Sequence, residues 1–283
     1  MGPTFQQSIL LERGAGWLHL RFKSGANGAT RLAHLDQHAP ARALFPLAEP
    51  GMPPEAVLIT TSGGLADGDR IDLTCEAEAN TQVRVAGQAA EKIYRARGDV
   101  PARVATHLTV GSNARLDWLP QETILFDGAR LDRRLRTDVA AGGWLTVSDM
   151  VVFGRIARDE RFRRGQFADR WSLRQNGAPI WIDATRLEGP TLTLLDHRYG
   201  YDRAESAGLW IGQGGRASVA LRDALRDALV GSDCRAGVTL LDGVVIIRLL
   251  GGAQAVRRAM IAAILAERRH AGLTADLPRV WHS

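Results

Sequence analysis

Lysine is almost absent from this 283-residue chain: Lys23 and Lys92 are the only two, and the rest of its 36 basic side chains are arginine. Arginine offers a planar fork of donors suited to buried or interfacial carboxylates, which an ammonium does not. Cysteine is just as scarce. Cys75 and Cys234 stand alone, which excludes a disulfide framework and a cysteine-built zinc knuckle. Cys75 alternates with Leu73 on a strand pattern and reads as a buried free thiol. Every apolar stretch is interrupted by Arg or Asp, short of the ~20 residues a membrane helix needs. The segment Met1-Gly2-Pro3-Thr4-Phe5-Gln6-Gln7 has no basic region leading into an apolar run. The cytoplasm is the expected compartment, with no membrane partner.

Other absences concern chemistry. Gly63, Gly64 and Gly68 are not followed by Gly-Lys-Ser or Gly-Lys-Thr, and the residues after them read as a strand. A phosphate cradle needs amides at a helix N-terminus, so nucleotide binding is not indicated. The seven histidines show no compact metal-ligand spacing; His34 and His38 lie four apart on a strand-to-loop segment. Ser62 is not in a Gly-x-Ser-x-Gly elbow, and no spacing among the carboxylates selects an acid/base pair for a hydrolase. The formal charge of +5 is scattered rather than gathered into one arm, which argues against nucleic acid.

What the chain does have is strand after strand. With 45% hydrophobic and 24% charged residues it has the composition of a globular protein. Leu18, Leu20 and Phe22 alternate along residues 17–23, and similar patterns cover 30–35, 56–59, 70–75, 82–85, 104–110, 115–119 and 144–153. Asn176-Gly177 marks a hairpin between 170–174 and 179–183. Residues 187–195 read as one or two short strands, and proline-dense 40–54 as an irregular surface loop. Helices come late: 217–229, with Leu221, Leu225 and Leu229, and 253–269. In the second, Val256, Met260, Ile264 and Leu265 form the apolar side, and Arg257, Arg258, Glu267 and Arg268 lie elsewhere. Strands joined directly to strands predict a mainly β protein, a large coiled or layered β assembly with a few helices, forming one domain over 1–283.

Several segments are dense with unusual choices. Thr60 to Asp69 packs Gly63, Gly64 and Gly68 beside Asp67 and Asp69 between two strands. Residues 88–95 place Lys92 beside Tyr94 and Arg95, and 118–128 set Pro120, Glu122 and Asp127 in an apolar ribbon. Proline there implies an edge, bulge or strand end. The latter two segments fit a polar interior, a partner surface or a bulge satisfied by its own side chains. Asp149 precedes Met150-Val151-Val152-Phe153, so it needs a buried partner, with Arg155 the candidate. That pair fits a structural role as well as a functional one.

As a set, Ser62-Gly63-Gly64 with Gly68-Asp69, Glu91-Lys92-Ile93-Tyr94-Arg95, Leu119-Pro120-Gln121-Glu122-Thr123-Ile124-Leu125-Phe126 and Asp149 to Arg155 with Glu160, Phe162 and Gly165 resemble the signature blocks of the UreD (UreH) urease accessory family. The resemblance runs from about Trp17 to the last helix. It implies a non-enzymatic scaffold in nickel insertion into apo-urease, binding UreF directly and UreG through it. It also implies a dimer of heterotrimers, a helix-like winding of strands, and an internal route for transient nickel. On that reading Asp67, Asp69, Glu122, Asp127, Asp149 and Glu160 are expected to line a polar interior or passage. Lys92, Tyr94, Arg95 and Arg155 would supply supporting charge or structure, and Gly63, Gly64 and Gly68 close packing. The signature blocks contain no histidine or cysteine, which favours a conduit, or a scaffold that never contacts nickel, over a stable metal site.

Overall fold

The computed structural model describes residues 13–47, 52–198 and 200–282. The first described elements are a hairpin of β1 (Ala15–Ser24) and β2 (Thr30–His38), then an antiparallel pair of β3 (Ala41–Leu44) and β4 (Glu55–Thr60). The proline-rich segment expected to be irregular therefore holds a short strand. Pro40 and Pro46 flank it, where a missing amide costs no ladder bond.

From β4 the backbone winds as a β-solenoid. Its first turn passes through the glycine corner to β5 (Arg70–Ala77). The second comprises β6 (Gln82–Gly87), β7 (Glu91–Ile93) and β8 (Ala102–Val110). The third comprises β9 (Arg115–Leu119), β10 (Thr123–Leu125) and β11 (Arg130–Val139). In the fourth, β12 (Trp144–Phe153) is long enough to pair with both β9 and β10 before the chain reaches β13 (Gln166–Gln175). Equivalent strands stack parallel: β5, β8, β11 and β13 in a seven-stranded sheet; β4, β6, β9 and β12 in a ten-stranded one.

Each turn repeats the same inward positions, so like residues stack. Leu20, Cys75, Leu108, Thr137 and Leu173 align on the first sheet. Val83, Leu116 and Leu145 do so on the second. Leu65, Ile93, Leu125 and Phe153 form a further stack along β7, β10 and the end of β12, all essentially buried. A fully buried leucine or phenylalanine contributes about 1.5–3 kcal/mol, and the repetition makes the strands cohere without local helices.

The hairpin strand β14 (Ala178–Glu188) continues the first sheet from β13 across the Asn176-Gly177 turn. The strand expected over 187–195 is instead a 3₁₀ turn, Gly189–Leu195. Pro190 fits its first turn, and Thr191 Oγ1 accepts the Glu188 amide at 2.8 Å, capping it. The second sheet is extended antiparallel by β15 (Ser206–Gly214), β17 (Val244–Gly251) and β16 (Arg235–Leu241).

Two helices, α1 (Val219–Ala228) and α2 (Ala253–His270), cover the outer face of that sheet. They build a second core with Trp144, Trp210 and Leu119, separate from the solenoid interior. Here the helix pattern needs correcting. Glu267 and Arg268, expected away from the packed side, are buried to 1% and 4% exposure. They face β9: Glu267 binds Arg115 at 2.6 and 2.9 Å, and Arg268 reaches Asp117 at 2.9 Å. Arg84 and Asp276 complete this network, with Asp276 accepting from Arg84 at 3.0 Å and from Arg268 at 2.7 Å.

Candidate functional site

Inside the solenoid the stacked apolar rows leave a lumen of about 320 Å³ between the two sheets. Its walls are chiefly Leu18, Leu73, Trp118, Leu135, Val147 and Trp171. Its mouth lies at the glycine corner, where Thr60, Gly63, Gln88, Ala90, Glu91 and Lys92 line it and several are exposed. The corner can approach β7 because Gly64, at φ +149°, has no Cβ. One there would lie 2.7 Å from the Lys92 carbonyl oxygen. At the mouth the Glu91 carboxylate accepts from the Thr60 hydroxyl. Burial raises its pKa, offset in part by that hydroxyl, the Lys92 amide and the Lys92 charge.

Deeper in, one charged group ties the two sheets together across the lumen. On β11, Leu131, Arg133, Leu135, Thr137 and Val139 share the inward parity, so Arg133 projects inward. From the opposite sheet Asp149 of β12 meets it, accepting from Nη1 at 2.7 Å and Nη2 at 2.6 Å. Asp169, beside Arg133 on β13, accepts from Nε at 3.1 Å and Nη2 at 2.6 Å, and from the Trp171 indole at 2.9 Å. Burial pushes the Asp149 pKa up, a shift that the Arg133 charge opposes and the Asp169 charge reinforces. The guanidinium, despite its burial, is held more firmly protonated by the two carboxylates.

Just beyond Asp149 a narrow cleft of about 10 Å³ opens between β12 and α2. Pro120, Ser148 and Asp149 line both it and the lumen. The Ser148 hydroxyl is buried there without a hydrogen-bond partner. On the cleft's far side Glu122 pairs with Arg257 of α2 at 3.0 Å.

The structure divides the expected site residues. Asp149 and Lys92 line the lumen, Gly63 lies at its mouth and Glu122 lines the adjoining cleft. The others serve the corners. Asp67 accepts the amides of Arg97 and Gly98 and the Arg13 guanidinium; Asp69 accepts the amides of Gly14 and Ala66. Asp127 accepts the amides of Arg163 and Arg164 and the Arg164 side chain. Those bonds outweigh its burial and hold its carboxyl below the usual range. Tyr94 donates to the Gly63 carbonyl at 2.9 Å, and Arg95 to the Asp127 carbonyl at 3.2 Å. Gly68 turns the corner at φ +83°.

The expected partnership of Asp149 with Arg155 is replaced by Asp149 with Arg133. Arg155, six residues along the chain, has passed the corner. There it binds Glu160 at 2.5 and 3.0 Å and covers the Phe126 ring. Arg133, Asp169, Glu91 and Ser148 were missed as site residues. The parity of Arg133 with Leu131 and Leu135 could have found it, but charged neighbours hid that strand's alternation.

The fold is thus a hollow β-solenoid whose mostly apolar lumen is crossed by one arginine–carboxylate cluster. Among the described residues no three His, Cys, Asp or Glu side chains converge as a metal site. No helix among them is long and apolar enough to cross a membrane. The profile of the family described as UreD urease accessory protein matches residues 14–282. The chain is 39% identical over 242 residues to urease accessory protein UreD of Granulibacter bethesdensis, covering 85% of this chain and all of that one. It is 36% identical over 279 residues to UreD of Xanthobacter autotrophicus, covering 98% and 92%, and 35% identical over 261 residues to that of Magnetococcus marinus, covering 90% of each. The chain belongs to the UreD urease accessory protein family.

Proposed function

We propose that this chain is an accessory scaffold in urease maturation that carries nickel(II), as cargo, through its lumen toward apo-urease. On this reading it binds UreF directly and UreG through UreF, in the cytoplasm, and performs no catalysis. The observation that carries the proposal is the run of carboxylates from Glu91 at the mouth, past Asp149 within, to Glu122 in the adjoining cleft. Carboxylate oxygens are weak, replaceable ligands for a borderline ion, and apolar walls between them leave no deep resting place. Lys92 and Arg257 balance the charge at the two ends.

The test is co-purification of the chain with UreF, UreG and apo-urease, followed by the nickel content of the urease. Glu122→Ala and Asp149→Ala are expected to keep the assembly and lower nickel loading. Normal loading with the assembly intact would refute the passage. A second reading, a scaffold that never contacts nickel, draws on the satisfaction of Asp67, Asp69, Asp127 and Glu160 by structural bonds. It predicts loading that follows assembly alone, whatever stands at position 149.

A further inference from the structure

The guanidinium of Arg133 uses two different edges. Its Nε–Nη2 edge holds Asp169, which the Trp171 indole also fixes in place. Its Nη1–Nη2 end holds Asp149 on the facing sheet. The first carboxylate is therefore an anchor, and the second can be released without unseating the arginine. Ser148, next to Asp149 in the sequence, carries a buried hydroxyl without a hydrogen-bond partner, and both residues line the lumen and the cleft.

We propose that Arg133 is a displaceable counter-ion: anchored through Asp169, it yields Asp149 to a passing divalent cation and reclaims it afterwards. This rests on the passage reading above. A bare carboxylate in so enclosed a place would hold a doubly charged ion strongly, because little water screens the attraction. Arg133 weakens that hold twice, by occupying the oxygens and by repelling the ion. An arginine is suited to this position because it cannot lose its proton and become a ligand itself. A singly charged ion gains too little from one carboxylate to displace a two-bond guanidinium, so the crossbar also selects for divalent charge. Arg133 acts as a positioning residue, through Asp149.

The experiment measures nickel(II) binding to the purified full chain by calorimetry and, in the assembled complex, nickel transfer to apo-urease. Arg133→Gln is expected to bind nickel(II) about tenfold more tightly or more and to slow its transfer, with assembly unchanged. Adding Asp149→Asn should remove most of the tightening, the remainder belonging to Asp169, which the Trp171 indole still holds. Arg133→Lys keeps the charge but cannot make two bonds to each carboxylate, so its affinity should fall between wild type and Arg133→Gln. If the glutamine variant does not fold, the lysine variant with and without Asp149→Asn carries the same comparison. A folded variant that binds no more tightly than wild type, or a tightening that Asp149→Asn leaves undiminished, overturns the proposal. Failure of the passage itself reads out separately: Ala90→Trp, which fills the mouth, would then leave nickel transfer unchanged.

Discussion

Replacing Glu267 by glutamine tests whether the clamp between α2 and the solenoid is made of buried charge. Glu267 is 1% exposed and makes two bonds to Arg115, whose other carboxylate partner is Asp117 at 2.8 Å. Within hydrogen-bond reach the network sets Arg84, Arg115 and Arg268 against Asp117, Glu267 and Asp276. Removing one negative charge leaves an uncompensated guanidinium. Breaking a buried pair from one side costs about 3–5 kcal/mol. Arg115 keeps Asp117, so the lower figure applies. For a chain of this size about 3 kcal/mol corresponds to a Tm lowered by roughly 6 °C. Thermal unfolding followed by circular dichroism reads this directly. The pair is costly to break but replaceable as a whole, so Arg115→Met combined with Glu267→Met should recover most of the loss. A Tm unchanged in the single variant, or a double variant less stable than the single, would refute the reasoning.

The corner stack gives a simpler expectation: Leu125→Ala, at a fully buried rung between Ile93 and Phe153, should cost about 2–5 kcal/mol in denaturant unfolding. Gly64→Ala places a methyl group against the Lys92 carbonyl and the Tyr94 ring, so the soluble yield of folded chain should fall sharply, whereas Gly237→Ala, in the extended backbone of β16 with open space around it, should be mild. Asp67, Asp127, Glu160 and Asp276 all have folded-state pKa values depressed below their unfolded ones. Their contribution is fully present above the ordinary carboxylate pKa of about 4 and is lost as pH falls through the folded values. A pH series of Tm should therefore drop below about pH 4, and a flat profile there would contradict the assigned bonds.

Much of the fold was legible because strand alternation is local. Leu18, Leu20 and Phe22 announce their face without knowledge of the rest of the chain, and the direct strand-to-strand joins announce a β assembly. The winding is not local: that Leu65, Ile93, Leu125 and Phe153 share a stack follows from corner geometry spread over some ninety residues. Charge was the other obstacle. Arg130 to Val139 carries so many charged residues that its inward row did not read as a strand. Glu267 and Arg268 looked like solvent-facing helix residues until β9 supplied Arg115 and Asp117. The signature blocks fall on the solenoid's corners, but most of the carboxylates expected to line the interior hold backbone amides there. Only the register of β11 against β13, and its facing of β12, brings Arg133 and Asp169 to Asp149.

The most direct measurement is the nickel content of urease matured with the Ala90→Trp chain, alongside a pull-down showing that the accessory assembly still forms. If the lumen carries the ion, urease emerges assembled with its partners but largely without nickel. Urease loaded as fully as with the unaltered chain would contradict the account.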